Sequence, residues 1–562
     1  MYFNLFMRKH FTVCLSIVAA LLCWQTIHAQ ESPTAVSWNF TESSSLVGLD
    51  YSHSYDTFLE VKTIGAGLAI GDLNNDGWDD IFAVTGADED SEFNPNHNKL
   101  FIAQGDGTFL ESAIAWGLSN EDQFSTGPLI FDSNGDGRND LLVGGVGTNR
   151  IKVYRNTGSN SFVNATPVSN LLGPLNTVNN MGMAAADINQ DGNLDLFVAH
   201  WSSNNKPMLF ENNGTGLFLN VTASKMTGST PLWVFTPAFV DLNNDDRLDL
   251  ALTNDFLNTN LGEGGSKYYL QDGSGVFILQ GLPVPEAAGP DPDYSLGPDQ
   301  NGMGGAFGDY DNDGDMDWFA TSIWDSDGVT EGDWGVTGNR LYNNDGAGNF
   351  TDVTDTAGVR VGYWGWGACW ADFDNDSDLD LYHVNGYPAL QRVEEDEFED
   401  DPARMFINHG DGTFTEQSAA LGVDDTGQGR AILCFDNDRD GDIDILVNNN
   451  QGDSKFFKNN LENGNNWIEI KLSQDSPNHE AIGAKLELTA GGLTQIRQVF
   501  AGANYASSHP TAQHFGLGSE TNISSIVVTW PDGQKNTWTN VPGNQYLELD
   551  KIDNRIYADG FE

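Results

Sequence analysis

The chain has 562 residues, 39% hydrophobic and 11% aromatic, so it can bury a large core and is not a disordered polyanion. It carries 81 acidic residues against 26 lysines and arginines, a formal charge of −55. Such a surface repels nucleic acid and anionic lipid and attracts divalent cations.

Residues 1–29 read as a signal peptide. Arg8 and Lys9 form a short basic region, and Ile27-His28-Ala29 offers a small-residue cleavage site before Gln30. The apolar run from Phe11 to Trp24 falls short of the ~20 residues a membrane span needs, which argues against an anchor. Leu22 before Cys23 argues against a lipoprotein. The expected product is secreted, periplasmic or held at the cell surface, with no membrane insertion. Its 533 residues would hold 24 basic and 81 acidic side chains, a formal charge of −57. Only Cys369 and Cys434 remain in it, too few for a disulfide framework.

From residue 72 onward one pattern recurs: DLNNDGWDD, DSNGDGRND, DINQDGNLD, DLNNDDRLD, DYDNDGDMD, DFDNDSDLD and DNDRDGDID, starting 54 to 68 residues apart. Positions 1, 3, 5 and 9 supply side-chain oxygens. In the first four loops these are Asp72, Asn74, Asp76 and Asp80; Asp132, Asn134, Asp136 and Asp140; Asp187, Asn189, Asp191 and Asp195; Asp241, Asn243, Asp245 and Asp249. The last three offer Asp309, Asp311, Asp313 and Asp317; Asp372, Asp374, Asp376 and Asp380; Asp436, Asp438, Asp440 and Asp444. An oxygen cage made entirely by protein suits calcium better than magnesium. We expect about one calcium per repeat, up to seven. Without a cation, 24 carboxylates so close together would repel strongly. The loops are not EF-hands, because position 12 is Ala83, Val143, Val198, Leu252, Ala320, His383 or Val447 instead of glutamate. Seven equivalent copies favour a structural over a catalytic metal.

Each loop lies between two short apolar segments that read as adjacent strands. A hairpin follows, as in KLFIAQGDGTF (99–109) or ARMFINHGDGTF (403–414). Each repeat is therefore four strands, and seven repeats predict an all-β, seven-bladed propeller over residues 37–462. The seventh repeat stops at SKFFKNN (454–460), without a final strand. NFTESSSLVGL (39–49) matches NFTDVTDTAGV (349–359), so residues 37–49 are expected to complete the last blade and close the ring.

The loops and their spacing resemble the FG-GAP/VCBS repeats of integrin α-subunit propellers. Residues 466–549 resemble an ASPIC/UnbV domain through NNWIEIKL, IGAKLEL, HFGLG (514–518), VVTWPDG (527–533) and NQYLEL (544–549). The pair resembles the cartilage acidic protein family and its bacterial relatives. The resemblance implies secretion, calcium and interaction roles, and no established reaction. Asp246 and Ser377 replace the position-6 glycine, which implies weaker sites. The C-terminal domain reads as a small β-sandwich beside the propeller, with residues 550–562 a tail outside it.

No hydrolase elbow, HExxH, P-loop or Cys/His cluster occurs. His509 and His514 read as loop and sheet residues, and Trp364 and Trp366 as core before sugar platform. The acidic run at 394–401 reads as a solvated loop. Cys369 and Cys434 fall in equivalent strands one position out of register and are expected as buried free thiols. Two function classes stand. One is an adhesion or ligand-binding module for an extracellular protein or glycan. The other is a secreted enzyme acting on polysaccharide, with its site on the face opposite the calcium loops. The long connections on that face, 85–98, 254–266, 278–300, 324–338 and 386–402, carry Trp324, Trp334, Tyr294 and Tyr387 as candidate contacts.

Overall fold

A computed structural model describes residues 38–54, 63–86, 97–118, 124–146, 150–175, 179–202, 206–228, 233–255, 265–280, 282–283, 294–295, 301–324, 338–387, 398–551 and 556–558. Among the described residues seven mainly antiparallel sheets follow one another along the chain, six with a four-stranded meander and the last with a three-stranded one. In sheet one the strands are Leu68–Gly71, Asp80–Ala83, Lys99–Ala103 and Phe109–Glu111. Every loop closes in the same register: Gly71 faces Asp80, Val240 faces Asp249 and Phe435 faces Asp444. The first strands touch in cyclic order, and the seventh touches the first. The architecture is propeller-like.

Burial falls from the centre outward. The strand Asn180–Ala186 is buried throughout, the third strand of that sheet leaves Met208 and Glu211 half-exposed, and in its fourth only Phe218 is buried. The first strands crowd the axis, which explains their small residues. A Cβ on Gly127, held at φ +48°, would lie 1.9 Å from the carbonyl oxygen of Met181 in the next sheet.

Neighbouring sheets are stapled by an amide at the end of each third strand. Asn156 Nδ2 donates to Asn139 O and, across the sheet boundary, to Leu73 O at 2.6 Å. Asn212, Gln271, Asn344, Asn408 and Asn459 reach the preceding sheet in the same way. Sheet one has Ala103 at this place. There Asn437 Nδ2 donates to Gly107 O instead, at 2.8 Å. The N-terminal strand Asn39–Glu42 pairs with Lys455–Asn460 from Asn39↔Asn460 to Glu42↔Phe457, supplying the outer strand of sheet seven.

The C-terminal region forms two further sheets. One joins Leu493–Gln498, Lys485–Ala490, Asn522–Thr529 and Lys535–Pro542; the other joins Gln513–Gly518, Asn466–Ser473, Tyr546–Asp550 and Ile556–Ala558. Three expectations change here. Residues 556–558 pair with Tyr546–Asp550, so these three residues belong to the domain and not to a tail outside it. The domain does not sit beside the ring but over the loop-bearing face. Its Gly518 N–H donates to Asn375 O in loop six, and its Lys535 pairs with Asp246 in loop four at 3.4 Å. A hairpin of this domain, Ala503–Asn504 with Ser507–Ser508, enters the centre of the ring and touches the first strands of all seven sheets. Ser507 and Ser508 pair in parallel with Leu68 and Ala69, which extends sheet one into the channel.

Third, Cys369 and Cys434 are not free thiols; they form a disulfide with Cα atoms 6.6 Å apart. Side chains alternate between the faces of a strand. A residue three before the loop in one sheet faces its neighbour, and a residue two before the loop in that neighbour faces back. The one-residue offset is what a bridge between stacked sheets requires.

The residues 1–29 read as a signal peptide lie outside the described residues. Among the described residues no helix is long and apolar enough to cross a membrane.

Candidate metal centre

Each loop is built around its own carboxylates. Asp72 accepts the Asp76 N–H on one oxygen and the Gly77 N–H on the other, at 3.2 and 2.9 Å. Asp76 then accepts the N–H of Trp78 at 2.9 Å. The same bonds recur at Asp187, Asp309, Asp372 and Asp436. They require two left-handed residues. Position 6 is one, with Gly77 at φ +87° and Gly441 at +92°. Position 4, which the sequence reading missed, is the other: Asn75, Gln190, Asn244, Asn312, Asn375 and Arg439 lie between +54° and +58°. Asparagine at four of these is the signal that could have found it, because its short polar side chain tolerates this conformation.

Ser377 and Asp246 hold the position-6 conformation at φ +88° and +61° without glycine. A non-glycine residue there costs about 1–2 kcal/mol. Ser377→Gly should therefore stabilise the protein by about 1 kcal/mol, measured by thermal or urea unfolding. Asp246→Gly should gain less, because it gives up the contact with Lys535. A loss of stability in Ser377→Gly would refute the strain argument.

The ninth-position aspartate begins the second strand and is fully buried in most sheets. Asp80 accepts the N–H groups of Leu73 and Ala103 on its two oxygens, at 3.0 and 2.9 Å. Asp195, Asp249, Asp317, Asp380 and Asp444 clamp their loops to the third strand in the same way. Burial pushes Asp140 up to about 6, Asp80, Asp195 and Asp249 up to about 8, and Asp317 up to about 9. Asp380 and Asp444 are raised well above the usual range by burial, then by neighbouring carboxylates or against opposing hydrogen bonds. At position 1, burial raises Asp72 and Asp187 to about 6 and Asp309 and Asp436 to about 7. At Asp132 burial is outweighed by His479 and by loop N–H groups, which together lower it.

Three loops gather carboxylate oxygens within 4.8 Å of one another: Asp309, Asp311 and Asp317; Asp372, Asp374 and Asp380; Asp436, Asp438 and Asp440. Asp444 is outside the third group. In loops one to four position 3 is Asn74, Asn134, Asn189 or Asn243, and no such trio forms among the described residues. Loops five, six and seven thus gather hard oxygen donors, the chemistry calcium prefers.

The C-terminal domain brings cations to this face that the sequence reading did not assign. Lys471 lies 3.7 Å from Asp79 and His479 lies 3.7 Å from Asp132. Lys485 donates to Asn244 at 2.9 Å. Arg439 of loop seven is held between the rings of Trp78 and Tyr546, 3.9 Å from each centroid.

The other candidates are largely packed away. Trp364 and Trp366 are buried, and Trp364 stacks on Tyr387 at 3.9 Å. Tyr387, expected as an exposed contact, is therefore core. His514 lies 3.2 Å from the Gly441 carbonyl, and burial lowers it to about 3 and His509 to about 4. In the acidic run Glu399 and Asp400 are exposed while Phe398 and Asp401 are buried, and 394–397 lie outside the described residues. So do Trp334 and the side chain of Tyr294, while Trp324 is half-buried.

Comparison with known proteins agrees with this geometry. An FG-GAP-like repeat model matches residues 72–143, 132–198, 187–252 and 325–383, and an ASPIC and UnbV model matches 474–556. The chain thus carries FG-GAP-like repeats followed by an ASPIC and UnbV domain. Its curated relatives are proteins named cartilage acidic protein 1. The one from Xenopus tropicalis is 25% identical over 83% of this chain and 70% of its own length. The one from Homo sapiens is 27% identical over 42% of this chain, and the match spans 34% of that protein's length. Among solved structures, an Agrocybe aegerita lectin that recognises terminal N-acetylglucosamine aligns at 17% identity over 65% of this chain and 84% of its own, with a TM-score of 0.36. That likeness is too distant to carry an argument.

Proposed function

We propose that this chain is a secreted, calcium-binding propeller that serves as an adhesion or ligand-binding module for an extracellular protein or glycan. The observation that carries the reading is the sevenfold loop beneath a second domain, with carboxylates converging in loops five, six and seven. Calcium in these loops would set the shape of that face and brace the ring. A ring-centre enzyme site is disfavoured because the chain fills its own channel. Tyr505 and Trp366 are fully buried there, 5.1 Å apart, and the buried Arg430 donates to the Thr63 and Gly386 carbonyls. Binding then falls to the outer surfaces, including the long connections opposite the loops.

The mature protein should be applied to glycan and matrix-protein arrays in calcium and in EDTA. Saturable binding that calcium strengthens is expected. Release of reducing or unsaturated ends from a polysaccharide panel, with no retained ligand, would replace this reading with the enzymatic one.

A further inference from the structure

One third-strand position reaches the loop of its own sheet in sheets five and seven. It is the third-strand residue just before the stapling amide: Ile102, Arg155, Glu211, Leu270, Asn343, Ile407 and Lys458 in sheets one to seven. Its side chain lies over position 3 where the contact is seen. Asn343 Nδ2 donates to Asp311 at 2.8 Å in loop five. In loop seven the same place holds an ammonium. Lys458 Nζ bonds Asp438 and lies 3.1 Å from Asp440. Those two carboxylates and Asp436 form the convergent group of that loop.

We infer that Lys458 takes the place of the metal in loop seven, so that the ring holds at most six calcium ions. The inference rests on the calcium reading above. A calcium ion needs six to eight oxygen ligands, and positions 3 and 5 are two of the few this loop offers. Here both are bonded to one positive charge, which also repels a divalent ion at close range. The arginines of loops two and four differ. Arg138 and Arg247 each pair with a single position-5 carboxylate, Asp136 or Asp245. Lys458 joins two ligand positions and is part of the strand that the N-terminal segment closes, where Thr41 faces it. Sheet seven would therefore keep its loop folded without calcium.

The test counts bound calcium in the mature protein by native mass spectrometry at one fixed free calcium concentration. Lys458→Met keeps the apolar stem and removes the charge. It should bind one more ion than the wild type, and adding Asp438→Asn should abolish the gain. Asp438→Asn in the wild-type background tests the same point with the lysine in place and should leave the count unchanged. An equal count in wild type and Lys458→Met, or loss of one ion from Asp438→Asn alone, overturns the inference and leaves the calcium reading standing. If wild type and Lys458→Met both hold none, the calcium reading itself fails and this inference with it.

Discussion

Chelation should collapse the stability of this protein, and the collapse should deepen as pH rises. A ligand that binds only the native state contributes about 2.7 kcal/mol per site at a hundredfold excess over Kd. Several sites together rival the whole stability of a typical domain, about 5–15 kcal/mol. The pH dependence follows from burial. In the metal-free protein Asp80, Asp195 and Asp249 titrate near 8 and Asp317 near 9. The unfolded chain has lost these protons above about 4. Between about pH 4 and 9 the native state therefore binds more protons, and its stability falls with rising pH. That contribution is whole below about pH 4 and gone once the folded pKa values are passed. Calcium ionises its ligands in the native state and removes this slope. Calorimetry in EDTA should show a melting temperature markedly lower at pH 8 than at pH 5.5, with calcium closing the gap. The same melting temperature with and without EDTA at pH 8 would refute a role for metal in the fold.

Tyr505→Ala should be nearly as damaging, although the residue lies in the other domain. Tyr505 sits at the tip of the central hairpin, 5.3 Å from Phe235 and 5.1 Å from Trp366, and its hydroxyl donates to Ile64 O at 2.8 Å. The backbone around it binds several sheets. Leu68 N–H donates to Ala506 O, Ala185 N–H to Ala501 O, and Ala368 N–H to the side chain of Asn504. Truncating a large buried ring costs about 3–5 kcal/mol. Here the cavity opens at the axis, where every sheet has a wall. The variant should melt at a clearly lower temperature and lose the single transition expected of wild type. Tyr505→Phe keeps the ring, loses one hydrogen bond and should cost only about 1 kcal/mol. If Tyr505→Ala melts like wild type, the hairpin does not brace the ring.

The parts legible in the sequence were those written in short spacings. Each loop needs its oxygens at positions 1, 3, 5 and 9 and a turn at position 6, so seven copies declare themselves whatever surrounds them. The missing strand after Asn460 and its copy at Asn39–Glu42 disclosed the ring closure, because an unpaired edge has to be satisfied by something. What the spacing could not carry were contacts between elements far apart in the chain. The Cys369–Cys434 bridge depends on which faces two stacked sheets turn to each other. The burial of Tyr387 depends on Trp364, and the ammonium over loop seven on how the third strand crosses it. The docking of the C-terminal domain on the loop face, and its hairpin in the channel, have no local pattern at all. Residues 503–508 are small or polar apart from Tyr505, and only the seven walls around them make them a core. Local geometry is set within nine residues, whereas burial is a property of the assembled ring.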